Sequence, residues 1–563
     1  MGDQLAFAPV MVFGLLLHLV ILFFLKCLGF WWALAFFLSF APLLFCPKII
    51  WEQRHKLGLE PSINFLVWFF VVLCLGVSLF QEVDGIQTSW INNYGDLTVH
   101  LGMIISFMQG DNFPPQYHIF AGERLSYPFL VNLWSSALWW PFPSYRMLSF
   151  IFTLQWTLLW CLVYWLLKGN RYWLAPWALL LGGGCYGVWT NFSRELLGEG
   201  YPWTIFLSTI WVPQRSALLG VVVLLSANWL CWPACLGKDS KDVNVRLVLG
   251  GLMLALAPLA HTHFWMVSVL FISLMLGARV VAAALRGESP RPALVKCMLF
   301  GMALLPAVSF LPWLIGKRGV IGLMYGWSNP YLPELGAWEN ILKSLKMWGL
   351  NIPVLLFLVI LFGLVTKQTL AVLVLVGIFV LGNLVKLAFW DWDQLKFFLA
   401  LYVLFLFIWT RENESLLFKL HHFFVLLTVP ALVESYKLFE KGETYTVYTK
   451  KNVEQARIVA SLTPKSAILA AAPDHNNLAT LTGRRLYSGY GGTLWSHGIN
   501  YKEREQRLQN VEELCQCRSD LEPCPDYLLW GDAEARFWKG HNLPGCVLEA
   551  GAPFLYKYTG ADD

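Results

Sequence analysis

Apolar stretches long enough to cross a bilayer recur along this chain from its first residues to about residue 435. A transmembrane helix needs about 20 mainly apolar residues, and it satisfies its own backbone hydrogen bonds within the hydrocarbon core. The mean hydropathy of +0.55 and the charged fraction of 14% agree with this pattern. We therefore expect an α-helical polytopic membrane protein with about thirteen spans over residues 1–435 and a soluble tail over residues 436–563.

The predicted spans lie near 7–26, 29–46, 63–80, 144–167, 172–190, 216–233, 246–261, 262–282, 293–316, 352–366, 370–388, 396–410 and 416–435. Basic residues occupy every second link, which marks those links as cytoplasmic. These residues are Lys48, Arg54, Lys56, Lys168, Arg171, Lys238, Lys241, Arg246, Arg279, Arg286, Arg291, Lys367 and Arg411. The N-terminus is thus predicted inside and the tail outside.

The net charge of +5 is the small difference between 41 basic and 36 acidic residues. A balance of this size does not indicate a polyanionic partner, so we expect no nucleic-acid binding.

Three predicted outer loops are too long to be simple connections, namely 81–143, 191–215 and 317–351. The first loop begins polar and then becomes amphipathic in YPFLVNLWSSALWWPFP, which predicts a helix at the membrane interface. The third loop contains four basic residues, although the positive-inside rule predicts few basic residues in an outer loop. Either the topology differs locally there, or these cations bind anionic lipid phosphate; they are Lys317, Arg318, Lys343 and Lys346.

The tail alternates predicted helices and strands, which indicates a small extracytoplasmic α/β domain. It carries four cysteines that predict two disulfides, with a zinc site as the alternative; these are Cys515, Cys517, Cys524 and Cys546. Its GYGG stretch lacks the spacing of a nucleotide-binding loop.

Ionisable residues gather at the predicted outer ends of the spans. Asp96 and His100 in YGDLTVHLGMIISF are four residues apart and would share one face of a helix. Asp96 is either a helix N-cap or a general base towards an acceptor hydroxyl, and the two roles are compatible. Asp84 and Asp111 lie in the same loop and are alternative positions for the base.

Two further groups lie at predicted outer turns. His261 and His263 would contact a metal, a phosphate or each other. In FWDWDQLKF, Asp391 and Asp393 precede Lys396, which predicts either a structural ion pair or a substrate contact. Arg194 and Arg215, from the second loop, would bind a phosphate in bidentate fashion.

Several strings together resemble the GT-C glycosyltransferase superfamily, especially bacterial and archaeal members with an exported C-terminal domain. The likeness spans most of the chain and rests on YGDLTVHLGMIISFMQGDNFPPQYHIFAGERLSYPFLVNLW, WVPQRS, LAPLAHTHFW, FWDWDQLKF and TGRRLYSGYGGTLWSHGINYKERE.

The resemblance implies a polyprenyl-phosphate-linked sugar as donor, inversion at the anomeric carbon and an acidic base in the first outer loop. Asp96 best matches that position. Three predicted spans precede the loop here, against one in many members, so Asp84 and Asp111 stay open as the base. The resemblance leaves a divalent metal open, and the acceptor is a glycan, a lipid or a protein.

Two other functions remain compatible with the residues: a transporter, and a non-catalytic membrane protein whose tail is a binding module. We expect a prokaryotic inner membrane, with the endoplasmic reticulum as the second location. The apolar surface of the spans would contact membrane lipids in every case.

Overall fold

The computed structural model describes residues 7–39, 63–167, 174–182, 206–314, 322–323, 336, 338–339, 368–388, 391–412, 444–517, 523–539 and 541–559. The predicted spans 352–366 and 416–435 lie outside these residues. So do Arg194 and the four cations of the third loop, and the side chain of Asp391 is likewise outside what is described.

The chain is mostly helical. Its α-helices, in chain order, are α1 Phe7–Cys27, α2 Ile63–Val77, α3 Ile91–Met108, α4 Leu130–Trp139, α5 Tyr145–Leu167, α6 Leu174–Leu180, α7 Arg215–Cys235, α8 Lys241–Ala255, α9 Thr262–Leu285, α10 Arg291–Leu304, α11 Leu311–Leu314, α12 Thr369–Leu384, α13 Leu395–Glu412, α14 Lys450–Leu462, α15 Gly491–Ser496, α16 Lys502–Gln509 and α17 Asp532–Phe537. A π-helix covers Leu207–Trp211, and 3₁₀-helices cover Leu305–Phe310, Asp391–Gln394, Leu478–Leu481 and Glu513–Gln516.

The strands are short. They are β1 Gln81–Glu82, β2 Gly85–Thr88, β3 Gly322–Leu323, β4 Val385–Lys386, β5 Tyr445–Thr449, β6 Ile468–Ala470, β7 Arg485–Leu486, β8 Tyr527–Leu529, β9 Val547–Ala552 and β10 Leu555–Tyr558.

Five helical runs among the described residues are long and apolar enough to cross a membrane: Ala8–Cys27, Tyr145–Leu167, Arg215–Cys235, Thr262–Leu285 and Arg291–Leu314. This supports a helical membrane protein, but with five candidate spans in this part of the chain instead of thirteen. Three other predicted spans fall on α2, α8 and α12, which have 15, 15 and 16 residues. At 1.5 Å per residue such helices reach about 24 Å at most, which is less than the hydrocarbon core.

Two predicted spans are described only in part and stay predictions, and a third differs in charge. The described part of 172–190 contains only the seven residues of α6, and 29–46 is described as helix only over 32–39. α13 has 18 residues, but its sequence includes Lys396, Arg411 and Glu412, and those charges set it apart from the five apolar runs.

α7 is the centre of the bundle. Nearly all of its side chains are buried, and it packs against α1, α5, α8, α9 and α13. A helix that is apolar on every side is buried in a protein core or in lipid. Here the five neighbouring helices cover α7.

One end of the bundle collects the basic residues that mark predicted inner links. Arg411 Nη2 donates to Leu166 O at 3.1 Å, and Arg279 Nε donates to Cys235 O at 2.9 Å. Lys296 Nζ donates to Lys238 O at 2.7 Å. These bonds satisfy carbonyls that the last turn of a helix leaves without partners.

The first outer loop forms a separate layer at the opposite end. β1 and β2 pair as a hairpin, and β2 also pairs with β5, so this sheet joins the loop to the tail. The predicted interfacial helix is present as α4, but nine of its ten residues are buried against neighbouring elements. It is therefore part of the packed core and does not present one face to the bilayer surface.

The tail contains a five-stranded mixed sheet in the order β7-β6-β8-β10-β9, as the predicted mixture of helices and strands requires. Disulfides join Cys515 to Cys546 and Cys517 to Cys524, which confirms the prediction of two disulfides and makes the zinc alternative wrong.

The tail docks on the first outer loop through backbone hydrogen bonds. Leu486 N donates to His118 O and Gly489 N donates to Ile119 O, both at 2.8 Å. Arg504 Nη1 donates to Ala121 O at 2.7 Å. The GYGG stretch begins at this contact: a Cβ at Gly489 would lie 2.8 Å from Ile119 Cβ, so glycine allows the close approach.

Candidate active site

Asp96 lies in the second turn of α3, because that helix begins at Ile91. Trp90 is the N-cap and makes no side-chain capping bond, so the interpretation of Asp96 as an N-cap is wrong. Its Oδ2 accepts a hydrogen bond from Gln214 Nε2 at 3.3 Å, just before α7. The carboxylate is partly exposed, although Leu97 beside it is buried.

A second carboxylate and a cation lie opposite Asp96. Lys396 Nζ donates to Asp393 Oδ1 at 2.5 Å, where a 3₁₀-helix passes into α13. The predicted i, i+3 contact is therefore present. Lys396 is 8% exposed, whereas 38% of the Asp393 side chain is exposed. The ion pair thus faces solvent on the Asp393 side, while the ammonium of Lys396 is buried.

The surroundings make Asp96 a weak acid for an aspartate. Burial raises its pKa to about 6, even though the ammonium of Lys396 favours the ionised form. The Asp393 charge raises this pKa further, and the Gln214 hydrogen bond lowers it. For Asp393, burial also opposes ionisation, but Lys396 outweighs it and holds the pKa below its usual value.

Two histidines from the tail complete the cluster. His475 acts electrostatically on Asp96, and His497 acts on Asp393. Burial lowers the pKa of His497 to about 4, so its ring is neutral at pH 7.

His497 is held by a ring contact with the first outer loop. Its ring stacks on Tyr127 with centroids 4.6 Å apart, and the Tyr127 hydroxyl bonds to Ser216 at the start of α7. Residues of the tail, the first loop and the bundle thus meet in one cluster.

His261 and His263 border this cluster, with ring centroids 5.7 Å apart. His261 is in extended backbone as the N-cap of α9, whereas His263 is already helical. Their proximity therefore comes from the start of α9, not from the extended pair that the sequence suggested. His263 acts electrostatically on Asp393. Across the described ranges, no three His, Cys, Asp or Glu side chains are grouped to hold a metal ion.

Two predicted site residues lie elsewhere. Asp84 is exposed in the turn between β1 and β2, and Asp111 forms an ion pair with Lys26 at 2.8 Å. His100 is buried beside the cluster: its Nδ1 lies 3.1 Å from the Asn132 amide nitrogen, its ring lies 6.3 Å from the ring of Tyr127, and it interacts electrostatically with Lys396 and His497.

Arg215 is 3% exposed and points into the bundle. Its Nη1 donates to Ser135 Oγ at 3.0 Å and to Gln155 Oε1 at 2.6 Å, and its guanidinium lies over the ring of Phe152. Adjacent residues of a helix point in different directions, so Gln214 and Ser216 contact the cluster while Arg215 does not.

Sequence reasoning missed Gln214, Tyr127, Ser216 and His475 as members of the cluster. Gln214 and Tyr127 lie within strings that carry the family resemblance, as does His497. His475 lies in PDHNN, where no spacing relates it to Asp96.

No protein-family model matches this chain, and no curated protein sequence matches it either.

Proposed function

We propose that this protein is a membrane glycosyltransferase of the GT-C type that moves a sugar from a polyprenyl-phosphate donor to an acceptor on the extracytoplasmic face. The observation that carries the proposal is the arrangement of Asp96, Asp393 and Lys396 in a partly exposed cluster at the end of an apolar bundle.

Asp96 is the proposed general base. A catalytic base works best when its pKa is near the working pH, and the pKa of Asp96 is about 6. Its carboxylate is ionised at pH 7 and is more basic than an ordinary aspartate. It would take the proton of the acceptor hydroxyl as that oxygen attacks the anomeric carbon.

Lys396 is the proposed cation for the leaving group. As the bond between the anomeric carbon and the phosphate oxygen breaks, the electron pair stays on the lipid phosphate, and a nearby ammonium stabilises that negative charge. Attack on one side with departure on the other inverts the anomeric configuration. Arg215 is less suited to this role, because it is buried against Ser135 and Gln155.

The membrane arrangement follows from the same cluster. A lipid-linked donor leaves its isoprenoid chain in the bilayer, so the sugar phosphate must be met at the end of apolar helices. We infer a polytopic topology with a cytoplasmic N-terminus and an extracytoplasmic tail, in a prokaryotic inner membrane or else the endoplasmic reticulum.

The test is glycosyl transfer by the purified protein in lipid nanodiscs, with a panel of polyprenyl-phosphate sugars and an extract of the host envelope. Asp96→Asn should lower turnover by about 100- to 10,000-fold, the usual contribution of a general base. Asp84→Asn and Asp111→Asn are matched controls, because both acids lie away from the cluster, and each should retain activity.

Other outcomes assign other roles. Transfer that survives in Asp96→Asn but is lost in Asp84→Asn or Asp111→Asn would move the base to that residue. If the wild-type protein neither turns over nor binds any donor, the transferase proposal fails, and a binding protein or transporter takes its place.

A further inference from the structure

Three aromatic rings form a row beside the candidate site. The ring of Tyr94, on α3, stacks on His475 with centroids 6.3 Å apart. His475 in turn meets Tyr490 edge to face at 5.0 Å. Tyr490 is 41% exposed, so the row ends at a ring that is open to solvent.

The row is more than a contact that fastens the tail to the first loop. Where the tail docks on that loop, the side chains are buried, as are Ile119, Leu486 and Tyr487. Tyr490 follows Tyr487 by three residues and yet stays exposed. Its ring therefore lies beside a buried contact but is itself accessible from solvent.

The glycines of GYGG hold the Tyr490 ring in place. A Cβ at Gly492 would lie 2.6 Å from a carbon of that ring, so the ring lies directly against the start of α15. A Cβ at Gly491 would lie 2.7 Å from the ring of Tyr501, so Gly491 packs directly against that ring. A ring fixed by such packing loses little entropy when a ligand binds.

The row adjoins the proposed base. His475 acts electrostatically on the Asp96 carboxylate, and its ring partner Tyr94 belongs to the same helix as Asp96. An amide lies beside the rings: Asn476 Oδ1 accepts from Thr98 Oγ1 at 2.9 Å and lies 2.5 Å from His475 Nδ1. An amide beside an aromatic face suits a ligand that has both C–H and hydroxyl groups.

We propose that His475 and Tyr490 form an acceptor subsite that binds a sugar ring, so that the acceptor is a glycan. This inference rests on the proposed transferase function. Sugar rings present faces of C–H groups with positive partial charge, which pack on the negative face of an aromatic ring. The donor approaches from the bilayer, whereas this row belongs partly to the tail, so the acceptor is its occupant.

The first experiment compares Tyr490→Ala with Tyr490→Phe, once a donor and a glycan acceptor are in hand. Loss of one stacked ring should raise the acceptor KM by about 10-fold. It should lower the ratio of transfer to donor hydrolysis by a similar factor, because water needs no aromatic surface. Tyr490→Phe keeps the ring and should restore both quantities, whereas an equal loss in both variants contradicts the proposal.

The second experiment needs no donor. Saturation-transfer NMR on the full chain in nanodiscs would use neutral cello-, chito-, manno- and arabino-oligosaccharides as probes. The wild-type protein should bind at least one probe, and Tyr490→Ala should lose that binding. His541→Ala, which removes another exposed ring of the tail, should retain it.

The kinetic and the binding experiments together distinguish a failure of the glycan subsite from a failure of the transferase proposal. Binding by the wild-type protein and Tyr490→Ala alike, or by neither, overturns the glycan subsite. Glycan binding that depends on Tyr490, without any donor turnover, leaves the subsite standing and rejects the transferase.

Discussion

The carboxyl group of Asp96 is harder to ionise in the folded protein than in the unfolded chain. Its pKa rises from 3.8 to about 6 on folding, chiefly because burial disfavours the charge. The folded state therefore binds the proton more tightly, and stability falls as the pH rises from about 4 to about 6. Asp96 thus lowers the stability of the folded protein at neutral pH, which favours a functional role over a packing role.

This linkage predicts that Asp96→Asn raises the apparent Tm above pH 6. Asparagine is neutral at every pH, so the variant avoids the burial of a charge. The gain should shrink as the pH falls towards 4, where the wild-type carboxyl group is also neutral. Thermal unfolding in nanodiscs between pH 4 and pH 8 would measure it, with the exposed Asp84→Asn as control. A gain that is the same at all pH values would contradict the pKa of Asp96.

The charges around Asp96 predict two opposite shifts in the pH profile of transfer. Lys396 lowers the pKa of Asp96 and Asp393 raises it. In Lys396→Met the activity should therefore disappear at a higher pH than in wild type as the solution is acidified. In Asp393→Asn it should persist to a lower pH, because the repulsion is gone and Lys396 loses its own partner.

The control for this pair is Lys396→Arg, which keeps the positive charge and should keep the acidic limb near its wild-type position. Shifts of both variants in the same direction would show that Asp96 is not the group that titrates.

At the scale of elements, α3 carries Asp96, and at one glycine it packs closely against a later segment of the same loop. A Cβ at Gly102 would collide with the imidazole ring of His118, which is 2% exposed. A Cβ at Gly95, one residue before Asp96, would meet nothing within 4 Å. The same helix thus contains one glycine that packing requires and one that it does not.

These glycines form a matched pair. Gly102→Ala should destabilise the protein by about 1–3 kcal/mol, as overpacking of a buried site does. Gly95→Ala should stabilise it by about 0.5–1 kcal/mol, because alanine loses less backbone entropy in a helix. Chemical denaturation in a fixed detergent would compare them, and equal effects would mean that His118 moves aside without cost.

At the scale of the whole molecule, the two ends of the bundle differ in chemistry. One end has basic side chains that bind helix carbonyls, as Arg411 and Arg279 do. The other end has the acidic cluster, the first loop and the tail. Residues predicted on the same side of the membrane thus lie at the same end of the bundle.

The proposed topology predicts which end a membrane-impermeant maleimide reaches in intact cells. Asp84→Cys, at the loop end, should be labelled from outside, whereas Arg286→Cys, in the link between α9 and α10, should be labelled only after lysis. Both positions are exposed, so access depends on the side of the membrane. The reverse labelling pattern would mean that the protein has the opposite orientation in the membrane.

Features that depend on local pattern can be read from the amino-acid sequence alone. Apolar length predicted helices, and α5, α7 and α9 match their predicted spans within a few residues. Alternating helix and strand signals predicted the mixed tail, and the cysteines predicted its disulfides. The sequence overstated the number of long spans, because helices such as α2 and α12 are apolar but have only 15 and 16 residues.

Which polar residues lie together in the candidate site depends on the tertiary fold. His475 acts on Asp96 although hundreds of residues separate the two in the sequence. In the same region, Thr98 bonds to Asn476 over a sequence separation of 378 residues. No spacing within the sequence encodes such a contact, and none shows that Arg215 points into the core while Gln214 beside it reaches the cluster. Helix periodicity shows which residues share a face, but the neighbour that covers each face depends on how the helices, the loop and the tail pack together.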